Sequence, residues 1–450
     1  MKKVALLALT LICLSLWQPV TAIAGVSATI RAEVERIHSG ECVSVGDCPI
    51  ASTIVLPALY EKYDYQPIWK NPDAVSQLVA AIEASHLDGL DPDDYHLADI
   101  RRMQAKLAAG SDQATQASLD VVLTDSLIRL GYHLVIGKVD PESLDGNWNM
   151  ERTLELDPIL EMSRAIGSGK VDNLIDSFRP QAAIYHKLKA ALARYRELEA
   201  AGGWPAVPDG ETLKPGMQDP RVVALRRRLA VTGDLPAGNV ESPEFDEQLE
   251  AGVTHFQQRH GLEADGIVGK GTLAELNVPV EARIDQLRVN LERARWVLHD
   301  LPQDFVITDI AGFRVMYFRA GELLWDTRAQ VGKSYRKTPV FRDRIRYIEF
   351  NPTWTVPPTI LKKDILPKVK KDHGYLAKKN IRVIDKSGNT VDAGSIDWSK
   401  YPAAGFPYML RQDPGPKNAL GRVKFMFPNK HAVYLHDTPH KSGFGRAQRT

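Results

Sequence analysis

The spacing of apolar residues changes at Phe305, and this change divides the chain into a helical part and a β-rich part. Between residues 57 and 196 apolar side chains recur at three- and four-residue steps, the period of an amphipathic helix. One such run is Leu119, Val122, Leu123, Leu127 and Leu130. Beyond Phe305, short runs of β-branched and aromatic residues, such as residues 313–318 and 346–350, are separated by Gly or Pro and predict strands. The expected fold class is α+β in several domains, with an all-α scaffold and a β-rich domain.

The first 24 residues have the pattern of a secretory signal peptide. Lys2 and Lys3 precede an apolar run from Val4 to Val20, and an Ala-x-Ala arrangement of small residues follows. A membrane anchor is the alternative, but the Ala-x-Ala pattern favours cleavage after Ala24. No later stretch has the roughly 18 apolar residues that a membrane span needs. We therefore expect a mature protein without a membrane span, located in the periplasm or cell envelope.

The charge balance disfavours nucleic acid as a partner. The chain has 57 Lys and Arg against 56 Asp and Glu, and removal of Lys2 and Lys3 would leave 55 against 56. A nearly neutral chain lacks the basic excess that attracts a phosphate backbone. Its length predicts several domains, each large enough for a core of its own.

Two cysteines, Cys42 and Cys48, follow the signal peptide, because Cys13 lies within it. In an oxidising compartment their spacing, with Gly46 between them to allow a tight turn, favours a small disulfide loop. A nucleophilic cysteine is the alternative. It is disfavoured because neither residue is next to a His, a Lys or a helix start that would activate its thiol.

Breakers and shifts of composition divide the rest of the chain into four parts. A Gly- and Pro-rich stretch, residues 202–216, separates the scaffold from a compact three-helix unit, and a helical connector leads into the β-rich part. The predicted boundaries are 25–215 for the scaffold, 216–280 for the three-helix unit, 281–303 for the connector and 304–450 for the β-rich domain. Residues 361–404 interrupt the β-rich domain as a lid over a site or as a solvated excursion.

The three-helix unit carries a motif that is similar to the small peptidoglycan-binding domain found beside many wall hydrolases. The matching residues are Phe256-Gln257-Gln258-Arg259-His260-Gly261-Leu262, followed by Asp265-Gly266-Ile267-Val268-Gly269 and Thr272-Leu273. The resemblance implies wall binding, with Phe256, Gln257, Arg259 and Asp265 as binding residues. A bundle without a binding role is the alternative.

The β-rich domain resembles the catalytic domain of the large, scaffold-bearing class of L,D-transpeptidases. The residues that carry the resemblance are Asn351 to Pro358, Pro414 to Gly421, Val423 to Phe425 and Val433 to Pro439. Three scaffold motifs extend it, namely Gln66 to Trp69, Asp88 to Tyr95 and Gly137 to Pro141. The resemblance implies an acyl transferase that cleaves the bond before the terminal D-residue of a wall stem peptide. It implies no cofactor and no metal.

The reaction of that family needs a thiolate, an imidazole and backbone N–H groups for the oxyanion. The resemblance makes His436 the imidazole and Asp437 the residue whose backbone carbonyl orients its ring. It places Tyr434 and Thr438 in the wall of the substrate cleft. Trp354 is either a substrate contact or ordinary packing.

The family's cysteine follows the histidine in a motif of the form Ser-x-Gly-Cys-x-Arg, and the 450 residues contain no such motif after His436. Cys42 and Cys48 lie far upstream and do not match it. We expect either that the natural chain continues to this cysteine or that the product is a pseudoenzyme, and that the 450 residues alone are inactive.

Two other functions stay open from the sequence. One is a non-catalytic peptidoglycan-binding scaffold, and the other is a metal-dependent wall peptidase. His431, His436 and His440 have spacings that could suggest metal ligands. However, His431 and His436 are expected on opposite faces of a strand, which disfavours a metal site. The acceptor, whether a second stem peptide, a lipoprotein or water, does not follow from the sequence.

Overall fold

The fold is described by a computed structural model. The described residues are 18–45, 48–146, 148–150, 157–236, 238, 240–299, 301–401, 405–446 and 448–450, without the side chains of 18–24, 45 and 48. They form two compact units. The first unit contains the described residues of 1–144, 151–306 and 317–325. The second contains those of 145–150, 307–316 and 326–450.

Nine helices of the first unit precede the Gly- and Pro-rich stretch within the described residues. They are α1 Gln18–His38, α2 Val55–Lys62, α3 Pro72–Ala84, α4 Leu97–Ala109, α5 Gln113–Val135, α6 Pro141–Leu144, α7 Pro158–Ser168, α8 Val171–Ser177 and α9 Ala183–Ala200. Asn71 and Asp157 cap α3 and α7 with their side chains, each followed by a proline in the first helical turn. The all-α character expected of this region is confirmed.

Helix α5 lies at the centre of this region, because most of its side chains are buried. Helix α1 packs against it with Val26, Ile30 and Val34, all of which belong to the core. The helical pattern that we identified starts only at residue 57, so α1 adds a helix that was not predicted. No helix within the described part of the chain combines the length and the apolar character needed to cross a bilayer.

The predicted signal peptide and disulfide lie largely outside the described residues. Residues 1–17 are not described, and residues 18–24 form the start of α1. The short strands β1 Ser44–Val45 and β2 Cys48–Pro49 pair antiparallel. Cys42 is exposed and has no disulfide partner among the described side chains, which do not include that of Cys48. The bridge stays a prediction.

The three-helix unit consists of α10 Arg221–Thr232, α11 Glu247–Arg259 and α12 Lys270–Leu276. Its core contains Val222, Leu225 and Leu229 from α10, with Leu249, Val253 and Phe256 from α11. These are the apolar positions that helical spacing predicts. The connector, α13 Val280–Val297, packs along α9.

The β-rich character expected after Phe305 is confirmed, because β4 begins at that residue. The strands from β3 onward are β3 Trp148–Asn149, β4 Phe305–Asp309, β5 Arg314–Arg319, β6 Glu322–Arg328, β7 Val340–Phe341, β8 Tyr347–Phe350, β9 Trp354–Thr355, β10 Ile381–Ile384, β11 Thr390–Val391, β12 Met409–Gln412, β13 Val423–Met426 and β14 Leu435–His436. Their sheets have the orders β4-β5-β6, β14-β13-β8, β11-β10-β12-β9 and β3-β7. The parallel β3–β7 pair joins residues 148–149 to the second unit, a pairing that was not predicted.

The described residues of the insertion, 361–401, pack in a core that they share with Val356 and Leu410. Helices α15 Leu366–Lys371 and α16 Tyr375–Lys378 lie here, with a π-helical turn at Leu361–Ile365, and the short helix α14 Pro358–Ile360 directly precedes them. Their apolar residues pack with Val383 of β10, Leu410 of β12 and Trp398. The start of the insertion, residues 361–378, therefore consists of several short helices. The role of the insertion as a lid stays a prediction.

Candidate active site

The candidate site is built on the three-stranded sheet of β14, β13 and β8. Strand β13 lies in the middle and pairs antiparallel with both neighbours. Lys424 of β13 lies opposite His436 of β14, and Phe425 lies opposite Leu435. Since residues directly opposite each other project from the same face of a sheet, Lys424 and His436 share one face.

A hydrogen bond to the backbone fixes the imidazole of His436. Its Nδ1 lies 2.5 Å from the carbonyl oxygen of Asp437. A carbonyl only accepts hydrogen bonds, so Nδ1 is the donor and Nε2 of the neutral ring keeps its lone pair. The Asp437 N–H in turn donates to the Val423 carbonyl at 2.9 Å, which holds the peptide against β13. The arrangement leaves Nε2 able to accept a proton.

The surroundings of His436 favour the neutral imidazole. Partial burial of the ring lowers its pKa, although the residue keeps an exposed face, and the charge of Lys424 lowers it further. The hydrogen bond to Asp437 acts in the opposite direction, but the pKa lies below its ordinary value. A neutral imidazole is the form that can act as a general base.

The carboxylate of Asp437 supports the turn before β13. One of its oxygens accepts a hydrogen bond from the Arg422 N–H at 3.0 Å. Gly421 has a φ of +62°, and a Cβ at that position would lie 2.5 Å from the Asp437 side chain. Burial would raise the pKa of Asp437, but hydrogen bonds from Arg422 and Thr438 and the charges of Lys441 and Arg422 outweigh it, and the pKa is lowered. The side chain is thus a charged anchor for the turn.

Tyr434 lies close to His436 in the chain and beside Lys424 in space. The ammonium of Lys424 lies 4.0 Å from the centre of the Tyr434 ring, a cation–π contact. The hydroxyl of Thr438 accepts a hydrogen bond from the His440 N–H at 3.1 Å. Trp354 lies in β9 of a different sheet and packs against the core of the insertion. The substrate-binding roles of these residues stay predictions.

The three C-terminal histidines have separate environments. The ring of His431 lies 5.3 Å from that of Phe341, whereas His436 bonds the Asp437 carbonyl. Over the described ranges, no group of three or more His, Cys, Asp or Glu side chains is placed to hold a metal ion.

The residues predicted to bind the wall divide into buried and exposed ones. Phe256 is fully buried, and Gln257 is only 1% exposed. Gln257 donates to Asp265 at 2.8 Å and to the Ile267 carbonyl at 2.9 Å, so it holds the loop after α11. The prediction of direct wall contact for Phe256 and Gln257 is corrected, because both positions are structural. Arg259 keeps an exposed surface and forms a double hydrogen bond to Asp234.

The sequence indicates no role for Lys424. The signal for it was weak, since a lysine in a short strand is an ordinary surface residue. Only the register of β13 against β14 places it opposite His436. Gly421 was also noted only as part of a motif, and its positive φ becomes evident from the backbone.

Comparison with known families matches three successive segments of the chain. Residues 55–192 match a scaffold domain, and residues 218–276 match a family described as "Putative peptidoglycan binding domain". Residues 303–450 match the L,D-transpeptidase catalytic domain. This combination of domains is that of a multidomain protein related to peptidoglycan enzymes.

Two curated relatives narrow this class. A "Putative L,D-transpeptidase" from Haemophilus influenzae is 38% identical over 170 residues, which cover 38% of this chain and 34% of the relative. The N-acetylmuramoyl-L-alanine amidase CwlM from Mycobacterium tuberculosis is 39% identical over 80 residues, covering 16% of this chain and 20% of the relative. The aligned part thus spans about a third of the first relative's length. The chain is thus similar to the L,D-transpeptidase family over residues 303–450 and to a peptidoglycan-binding domain over residues 218–276.

Proposed function

We propose that the protein remodels peptidoglycan by cysteine-dependent L,D-transpeptidation of wall stem peptides. The observation that carries the proposal is the hydrogen bond from His436 Nδ1 to the Asp437 carbonyl. It leaves Nε2 free to take a proton, which is what a thiol nucleophile needs at neutral pH. We also propose that residues 1–24 are removed as a signal peptide and that the protein acts in the periplasm or cell envelope.

The chemistry has two halves. In the first, a thiol gives its proton to His436 Nε2, and the thiolate attacks the carbonyl carbon before the terminal D-residue. The C–N bond breaks, the imidazolium returns the proton to the leaving amine, and a thioester remains. In the second, His436 takes a proton from the acceptor amine as the amine attacks the thioester carbonyl. The C–S bond breaks, and the imidazolium returns the proton to the sulfur, which restores the thiol.

The thiol is the component that residues 303–450 do not contain, since the three cysteines of the sequence are Cys13, Cys42 and Cys48. A positioned imidazole alone contributes roughly 10²- to 10⁴-fold as a general base and cannot form the thioester. We therefore expect residues 25–450 to lack transpeptidase activity.

Acylation by a carbapenem, followed by intact mass, tests the proposal. Residues 25–450 should show no adduct, whereas a chain extended beyond Thr450 by a Ser-x-Gly-Cys-x-Arg segment should be acylated. His436→Ala in the extended chain should slow acylation strongly, and His440→Ala is the matched control. An adduct on residues 25–450 would show that the nucleophile lies elsewhere. Fast acylation of the His436→Ala protein would refute the role of His436.

A second candidate function is wall binding without chemistry, favoured by the match of residues 218–276 to a peptidoglycan-binding domain. Sedimentation of residues 25–450 with insoluble peptidoglycan tests wall binding itself. An unrelated protein of similar charge is the control. Equal partitioning of the two proteins would remove the binding role.

A further inference from the structure

Three helices of the first unit enclose a cleft that the proposed chemistry does not use. The cleft has a volume of about 570 Å³ and lies between α9, the end of α11, and α13. Its walls include Arg194 and Tyr195 from α9, Arg259 and His260 from α11 and its C-cap, and Arg283 and Asn290 from α13. It thus combines the peptidoglycan-binding bundle with a scaffold helix and the connector.

Positive charge predominates around the cleft. Arg259 pairs with Asp234 at 2.6 Å and Arg283 pairs with Glu275 at 2.7 Å. Behind them lies Arg228, whose pKa is lowered to about 10 by burial and by the charges of Arg283 and Arg259, against the opposing effect of Asp234.

Arg194 adds a further guanidinium at the exposed side of the cleft. Its only hydrogen bond within the described residues goes to the Thr232 carbonyl, at 2.9 Å. Three guanidiniums, those of Arg194, Arg259 and Arg283, therefore line the cleft, and two carboxylates, those of Asp234 and Glu275, pair with two of them. An anion in the cleft would balance this excess, and planar guanidinium groups are well suited to bind a carboxylate through two hydrogen bonds.

Two polar atoms in the cleft wall have no hydrogen-bond partner among the described residues. One is Nε of Arg283, a residue only 8% exposed, and the other is Nε2 of His260. Buried polar atoms are normally paired, so an unpaired one requires an explanation. Nδ1 of His260 lies 3.0 Å from the Glu275 carboxylate, so Nδ1 is the donor. In the neutral ring Nε2 is then an acceptor, which an N–H group of a ligand would satisfy.

We propose that this cleft binds a carboxylate of a wall stem peptide, with the guanidiniums of Arg194 and Arg283 on the carboxylate and an adjacent amide N–H on His260 Nε2. The ligand class rests on the proposed function, because the peptidoglycan-binding bundle supplies one wall of the cleft. A carboxylate next to an amide N–H is the chemistry of a peptide terminus, and a simple anion would leave the histidine unsatisfied. The site holds the wall and takes no part in acyl transfer.

Calorimetric titration with a soluble disaccharide tetrapeptide, released from peptidoglycan by a muramidase, tests the proposal on residues 25–450. Arg194→Gln is the informative variant, since Arg194 is exposed and its loss leaves both Arg–carboxylate pairs intact. The matched control is Arg293→Gln, the same change at an exposed position of α13 that does not line the cleft. Equal melting temperatures of the three proteins establish that they are folded alike.

We expect Arg194→Gln to raise the dissociation constant about tenfold, equivalent to roughly 1.4 kcal/mol of binding free energy. Arg293→Gln should leave the dissociation constant unchanged. The same tetrapeptide with amidated carboxyl groups should bind the wild-type protein as weakly as the intact ligand binds the variant. Equal binding of amidated and intact ligand, or equal affinity of all three proteins, would overturn the cleft assignment. Sedimentation with insoluble peptidoglycan distinguishes failure of the cleft assignment from failure of the proposed function. Wild-type protein that binds the wall but not the tetrapeptide refutes only the cleft, whereas protein that binds neither refutes both.

Discussion

Lys424 and His436 lie directly opposite each other in the antiparallel pair of β13 and β14. Their side chains project from one face of the sheet, and the lysine ammonium also rests on the ring of Tyr434 at 4.0 Å. A fixed positive charge beside an imidazole opposes protonation of the ring. The sheet register therefore helps to keep the candidate base neutral.

Replacing Lys424 with Met should raise the pKa of His436, because the substitution removes a charge that lowers it. Titration of the His436 ring protons by NMR measures the change. Lys430→Met is the control, because Lys430 is exposed in the same domain and is not paired in register with His436. A His436 pKa that is unchanged or lower in the Lys424→Met protein would contradict the electrostatic role of Lys424.

Gly421→Ala should destabilise the catalytic domain and disturb the alignment of His436. The left-handed conformation costs a non-glycine residue roughly 1–2 kcal/mol, and the new Cβ would also press on the Asp437 side chain. Gly388→Ala is a matched control, since Gly388 has a φ of +90° with nothing within 4 Å of a Cβ. Denaturant unfolding should show a larger loss for Gly421→Ala, and equal losses would show that the contact with Asp437 is unimportant.

Phe256→Ala should cost about 3–5 kcal/mol, as expected for removal of a buried aromatic side chain. Phe256→Leu should cost less and should still sediment with peptidoglycan, because a buried side chain holds the bundle together without touching the wall. Denaturant unfolding and wall sedimentation are the measurements. Loss of wall binding in a folded Phe256→Leu protein would restore a contact role for Phe256.

The stability of the first unit should fall as the pH decreases from 7 to 5, in part through His260. Burial, with the charges of Arg283 and Arg259, lowers the pKa of this histidine to about 4. Because the unfolded chain has the higher pKa of roughly 6.5, it takes up the proton first, and stability present above that pH is lost below it. The loss by pH 5 amounts to about 2 kcal/mol.

His260→Gln should reduce that pH dependence, whereas His186→Gln, at an exposed position of α9, should leave it as in the wild type. Unfolding free energies at pH 7 and pH 5 measure the effect. An equal change in unfolding free energy between pH 7 and pH 5 in the His260→Gln protein and the wild type would exclude His260 as the source of the pH dependence.

Elements with a strong local signal could be predicted from the sequence. The three-helix unit and the start of the strands at Phe305 follow from apolar spacing, which is a local property. Helix α1 was not predicted because its first residues lie within the signal-peptide pattern. The β3–β7 pair could not be predicted, since two-residue strands acquire their structure from distant partners. Within the site, the motif identified His436 and Asp437, but the position of Lys424 depends on register and the burial of Gln257 on tertiary packing.

The hydrogen bond that aligns His436 comes from a backbone carbonyl, and this limits what mutagenesis can reveal. Every substitution at position 437 leaves the backbone carbonyl in place. An alanine scan would therefore test only the carboxylate that anchors the turn and would not test the hydrogen-bond acceptor of His436. The orientation of the ring is encoded in the path of the main chain between Val423 and Asp437. Replacing the Asp437–Thr438 amide with an ester, which weakens the carbonyl as an acceptor, would address that atom directly.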